Sequence, residues 1–251
     1  MIKKIKTELT EIRTLISKIN PILMTFFVLS VVLMNLLANK SLDLSWLPGN
    51  DTANGEFGWL ALDCGLMVSW MAFFTMDIVV RRFGPKASTR LTVLAVGINL
   101  VVCMVLLLAG SVPGMWGESY IPVGGDLINN ALDNTISGTW YVLMGSTVAF
   151  ISSAIIHGVT STAVSKLFKD KEGLKSYAVC SFAATSLGQF TDNMIFALIV
   201  SQIFFGWNIV QCITCSLTGM LMEFIFSIIF VPIGHKIYKK TGTIERTEEN
   251  M

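Results

Sequence analysis

Within SLGQFTDNMIFALIV, residues 186–200, Gln189, Asp192 and Asn193 stand within little more than one helical turn of an otherwise apolar stretch. At about 100° per residue, Thr185, Gln189, Asp192, Asn193 and Phe196 share one helix face. A carboxylate near the centre of a bilayer costs about 2.5–3.5 kcal/mol on insertion scales, so it belongs on a protein interior or a watery cavity. The stripe offers recognition by hydrogen bonding. A carboxylate can accept two N–H groups at once, an amide supplies both a donor and an acceptor, and the Phe196 ring offers a face for stacking. A guanine-like edge, with a ring N–H beside an exocyclic amino group, matches Asp192. Gln189 or Asn193 would answer the rest of that edge, and Asn35 and Asn99 could add further contacts. The same stripe could instead be glue between helices, because Ser181, Ala184 and Gly188 allow close helix contact.

The other ionisable groups in apolar surroundings are Asp63, Asp77, Glu223 and His157. Asp63 reads as an interfacial residue with access to water. Asp77 precedes RRFGPKASTR, so an ion pair with Arg81 or Arg82 at the helix end competes with a role in binding. Asp192 and Glu223 have no Lys or Arg at helical spacing in their own spans. Each must therefore be protonated, paired across helices or open to a cavity. Two such carboxylates near each other would suit proton coupling, since both cannot ionise cheaply in a low dielectric.

These groups need elements to hold them. Of 251 residues, 53% are hydrophobic and 14% charged, against about a quarter charged in soluble domains. Apolar runs at about 21–39, 59–80, 91–110, 138–165, 177–204 and 209–237 each reach the ~20 residues that cross the hydrocarbon core. The expected fold is an all-α integral membrane protein of six transmembrane helices; no alternation suggests a β-barrel. Charge placement orients it. Of 18 Lys and Arg residues, all but Lys40 fall in one alternating set of segments, while the loops 41–58 and 111–137 carry Asp43, Asp51, Glu56, Glu118, Asp126 and Asp133. The positive-inside rule then puts both termini in the cytoplasm of a multi-pass cell (plasma or inner) membrane protein.

Residues 1–20 repeat Ile among basic residues and read as an amphipathic segment on the inner surface or a basic tail that sets topology. With no cleavage site after its late apolar start, the first run is expected to stay as helix one. Residues 21–240 form one transporter domain and 241–251 a cytoplasmic tail. Cys212 and Cys215 make a CxxC, but no second ligand pair or soluble redox domain accompanies them, so they read as packing residues. His157 and His235 are too few for a multi-histidine metal site. No metal, cofactor or nucleic-acid partner is expected.

VVLMNLLANK (31–40), MDIVVRRFGPKASTR (76–90), STVAFISS (146–153) and LGQFTDNMIF (187–196), in this order and spacing, resemble the queuosine precursor transporter family, also called the vitamin uptake transporter family. The resemblance implies six helices and import of a 7-deazaguanine base. It puts Asn35, Lys40, Asp77, Gly84, Ser146, Gln189, Asp192 and Phe196 at motif positions. The chain departs from the family pattern at Arg81, Ala154 and His157, where acidic, Gln and Asp residues are common.

The substrate-binding set expected from residues and resemblance together is Asn35, Asp77, Asn99, Ser146, Gln189, Asp192, Asn193, Phe196 and Glu223, serving secondary transport or facilitated diffusion of a small nucleobase-like solute. The alternative is the substrate-binding S-component of an energy-coupling-factor vitamin transporter, which would need a separate ATPase module because no Walker motif is present. An intramembrane hydrolase would require a serine held against His157 or His235, and no GxSxG supports one. A purely structural membrane protein would close its polar stripe with partner helices. A homodimer follows only from the general preference for symmetric pairs.

Overall fold

The computed structural model describes residue 7 and residues 10–14, 17–38, 40–50, 59–60, 62–112, 140–170, 172–204 and 206–240. Its helices are α1 (Pro21–Leu37), α2 (Leu66–Phe83), α3 (Pro85–Gly110), α4 (Trp140–Ser165), α5 (Leu174–Phe196) and α6 (Ile209–Lys240). Among the described residues no strand forms, apart from one isolated antiparallel bridge between Ser41 and Asp63.

Local chemistry sets the helix ends. Asn20 caps α1 by accepting from Ile22 N at 2.8 Å, and Pro21 occupies the first turn, where its missing N–H costs nothing. Gly84 ends α2 and begins α3 at φ +87° and ψ 172°, a conformation open to glycine and strained for other residues. Pro85 then starts α3, so a single glycine turns the corner between two long helices. This start lies upstream of the 91–110 run expected from hydropathy, because the basic, polar first turns of α3 hide it from an apolar count. The 59–80 run is also corrected. Its first residues are extended, with Leu42 N donating to Leu62 O and Cys64 N to Lys40 O, both at 2.8 Å, and the helix begins only at Leu66. The 177–204 run breaks after Phe196 into a π-helical turn, Ala197–Ser201.

The distribution of side chains is inverted relative to a soluble domain. Val93, Val101, Met104, Val105 and Leu108 on α3, and Ile225, Ile228, Ile229 and Ile233 on α6, face outward. Ser30, Asn35, Asp77, Asn99, His157, Gln189 and Glu223 are buried. Such an outer surface is untenable in water and suits lipid. Three helical stretches, Pro85–Ala109, Tyr141–Ser165 and Ile209–Lys240, are long and apolar enough to cross a membrane by themselves. Asp77, Arg81 and Arg82 keep α2 outside that class, and the polar stripe lowers the hydropathy of α5.

The apolar core joins Phe27, Val31 and Met34 of α1 to Phe73, Met76 and Val79 of α2, Leu91 of α3 and Phe150 of α4. Phe150 meets Phe27 at 6.1 Å and Phe73 edge-on at 6.4 Å between ring centroids. A second cluster, with Leu60, Leu62, Trp207, Cys212 and Cys215, closes the other end, where buried Asn50 ties the chain by donating to the carbonyls of Leu44 and Leu60. Near the N-terminus residues 10–14 are helical and mostly exposed, and Glu11 pairs with Arg90 of α3. The rest of the expected 1–20 segment lies largely outside the described residues, as do most of loop 111–137 and all of tail 241–251.

Candidate binding site

The face of α5 that carries the polar stripe packs between α4 and α6, and this placement turns the stripe into a wall. Gln189 is 1% exposed, and its Nε2 donates to Asn193 Oδ1 at 3.2 Å, one helical turn on. This leaves Gln189 Oε1 buried without a hydrogen-bond partner, and Asp192 Oδ1 likewise. The Asn193 carboxamide fits because α6 presents Gly219 there: a Cβ at that position would overlap the Asn193 Nδ2.

Around this wall is a cavity enclosing about 490 Å³ out to its open mouth. Asn35 comes from α1, Ser146 from α4, Gln189, Asp192, Asn193 and Phe196 from α5, and Cys215 and Gly219 from α6. Ser146 donates to Asn35 Oδ1, a bond that fixes the α1 and α4 sides of the cavity to each other. The α-helix of α5 gives way to the π-helical turn immediately after Phe196. Such single turns widen the helix and re-aim the side chains that flank them.

Six expected residues, Asn35, Ser146, Gln189, Asp192, Asn193 and Phe196, thus come together in one cavity. Three do not. Asn99, on α3, is fully buried and does not line this cavity; neither of its side-chain polar atoms finds a hydrogen-bond partner among the described residues. Asp77 faces elsewhere: its Oδ1 lies 2.9 Å from His157 Nε2, and its Oδ2 accepts from Ser181 and, at 3.4 Å, from Thr185. Arg81, expected near Asp77, donates to Ser176 Oγ at 3.1 Å and lies 5.9 Å from the Tyr177 ring centroid, while Arg82 donates to Tyr238 O at 3.4 Å. Glu223 accepts from Ser69, and it lines a second cavity rather than that of Asp192, although the two carboxylates are close enough to interact electrostatically.

Residues the sequence reading passed over also line the first cavity, chiefly Asp63 and Ser69. Asp63 Oδ1 accepts from Gly65 N at 2.7 Å, and its charge interacts with that of Asp192. The signal for Asp63 is a carboxylate inside an apolar run, and its access to water comes through the cavity, from the extended stretch before α2 rather than from a helix end. Among the described residues the lining includes two carboxylates and no Lys or Arg. A cavity of this kind welcomes N–H donors and cations, and it repels a free carboxylate or phosphate.

A family model described as "Putative vitamin uptake transporter" matches residues 63–236, which hold every residue lining the cavity except Met34, Asn35, Ala38 and Leu62. No curated protein and no solved structure matches the chain.

Proposed function

The chain belongs to the vitamin uptake transporter family and is a multi-pass protein of the cell membrane, and from this we propose that it imports a small, planar, N–H-rich solute, a 7-deazaguanine queuosine precursor being the candidate. Six spans with both termini cytoplasmic accompany this reading, supported by the basic residues gathered in alternate segments.

One observation carries the choice of solute. Gln189 Oε1 and Asp192 Oδ1 are buried acceptors without partners, three residues apart on one wall of the cavity. A buried acceptor left unpaired costs about 1–3 kcal/mol, so an arriving donor recovers that cost on binding. Asp192 would take the ring N–H and the exocyclic amino group together, Gln189 and Asn193 would meet the remaining edge, and Phe196 would cover a face. Selectivity follows from the same groups, because an analogue without the N–H pair leaves both acceptors unpaired.

Glu223, buried and hydrogen-bonded to Ser69 beside Asp192, is the group proposed to carry a coupling proton. The deciding experiment is uptake of labelled 7-deazaguanines, purines and vitamins by the purified chain in liposomes, with and without a pH gradient. Uptake of a 7-deazaguanine by the chain alone supports the proposal. Binding without uptake until an ATPase module is added supports an energy-coupling-factor S-component instead, and failure to bind any 7-deazaguanine refutes the choice of solute.

A further inference from the structure

On three of the five helices that wall the first cavity, α2, α5 and α6, lies a second, narrower cavity, about 260 Å³ out to its open mouth. Its lining shares no residue with the first. It repeats the chemistry of the first with different side chains. Asp77 and Glu223 supply carboxylates, and Tyr177 supplies a hydroxyl that is buried, with the residue 1% exposed, and has no hydrogen-bond partner. Trp70, stacked on Phe230 at 4.0 Å and 8°, supplies an aromatic wall.

A hydrogen bond spans the wall between the cavities. Ser69 lines the first cavity, Glu223 lines the second, and the Ser69 hydroxyl donates to Glu223 Oε1. On α5 the two linings are separated by the eight residues from Gln189 to Ser181, about 12 Å along the helix axis. The offset places the second cavity toward the Arg81 and Arg82 end of α2, where its neighbour Tyr177 lies beneath the Arg81 guanidinium.

We infer that the second cavity is an inner solute station, reached from the Asp192 cavity by breaking the Ser69–Glu223 hydrogen bond, and that it takes the same class of ligand: a planar, neutral or cationic molecule bearing N–H donors. This rests on the proposed import of such a solute. Asp77 is already occupied by His157, Ser181 and Thr185, so it shapes the station rather than meeting the ligand. The acceptors on offer are Glu223, once released by Ser69, and the Tyr177 hydroxyl. The hand-over is an exchange of donors on one carboxyl group: a solute N–H replaces the Ser69 O–H, so Glu223 is never left without a donor.

Two experiments test it. The first needs no solute. In the cysteine-free chain, Ala38→Cys reports the first cavity and Ser227→Cys the second. A membrane-impermeant maleimide is applied to right-side-out and to inverted vesicles. The inference expects the two thiols to react from opposite faces of the membrane. Reaction of both from the same face, or of Ser227→Cys from neither face, overturns it, and this holds even if the wild type ignores every 7-deazaguanine, a result that would sink the solute assignment instead. The second uses the labelled 7-deazaguanine that wild type takes up. Tyr177→Phe removes a hydroxyl with no hydrogen bond to lose, so it should leave Kd in detergent within about twofold and Tm unchanged or higher, while the initial uptake rate falls at least about fivefold. Unchanged uptake, or a Kd that worsens in step with uptake, overturns the inner station.

Discussion

Replacing Asp192 by Asn keeps the shape of the side chain and exchanges an acceptor for a donor on the wall of the cavity. In the solute-free protein Asp192 Oδ1 has no hydrogen-bond partner, and the Ser153 hydroxyl beside the carboxylate can donate equally to an amide oxygen, so folding loses little there. The neighbouring carboxylates of Asp63 and Glu223 repel Asp192 when it is charged, and an amide relieves that repulsion. Tm of Asp192→Asn should therefore equal or exceed that of the wild type. Binding should behave oppositely. A hydrogen bond to a charged group contributes about 1.5–3 kcal/mol, and the new NH₂ would face a solute N–H that then has no acceptor. The combined loss is about 2–4 kcal/mol, which raises Kd roughly 30- to 1000-fold at about 1.4 kcal/mol per decade. Titration calorimetry with a 7-deazaguanine and a thermal melt on the same detergent-solubilised sample measure both quantities. A variant that unfolds, or one that binds as well as the wild type, would show that Asp192 holds helices together and that recognition happens elsewhere.

Gln189→Ala deletes one unpartnered acceptor and the bond to Asn193, and Phe196→Ala removes a stacking face; each should weaken binding by about 1–2 kcal/mol in the same titration. Gly219→Ala drives a methyl into the space of the Asn193 carboxamide, so it should lower affinity about tenfold or more while the chain remains folded, as read by binding and size-exclusion chromatography. Glu223→Gln should abolish any dependence of liposome uptake on a pH gradient; if wild-type uptake is itself indifferent to the gradient, facilitated diffusion replaces proton coupling. Single cysteines in a cysteine-free chain at Ser111 should label from outside, and at Lys86 and Lys169 only after permeabilisation. The opposite pattern at any of these sites breaks the six-span topology.

Much of the cavity could be read from the chain because helical geometry alone puts Gln189, Asp192, Asn193 and Phe196 on one face. Asn35 and Ser146 joined them through motif resemblance, since no rule of periodicity relates α1 to α4. The pairing of Asp77 with His157 was hidden for a different reason. Positions 80 residues apart meet only through tertiary packing, and the nearby Arg81 and Arg82 offered a local partner that the fold directs to α5 and the end of α6 instead. That Asp63 joins the cavity was not legible, because an apolar count cannot distinguish a helical residue from one paired to an extended neighbour; Leu62 and Cys64 bond to Leu42 and Lys40 through the backbone, which leaves no mark on composition. Glu223 sits one turn beyond Gly219, and that single turn puts it below the partition rather than in the first cavity.

The one-glycine corner at Gly84 bears on how the protein is made. On the six-span reading α2 has to cross the bilayer carrying Asp77, Arg81 and Arg82, each of which opposes insertion by up to about 2.5–3.5 kcal/mol when central, and these three charges keep it from being a self-sufficient span. The next helix, α3, is long and apolar enough to cross by itself. With only Gly84 between them, the two cannot enter the membrane far apart in time or space. The pair should therefore leave the translocon as a hairpin, with α3 supplying the partition energy that α2 lacks and Arg81, Arg82, Lys86 and Arg90 holding the bend on the ribosome side. A flexible linker inserted at Gly84 would then act first on biogenesis, stranding α2 outside the bilayer before any solute could be met.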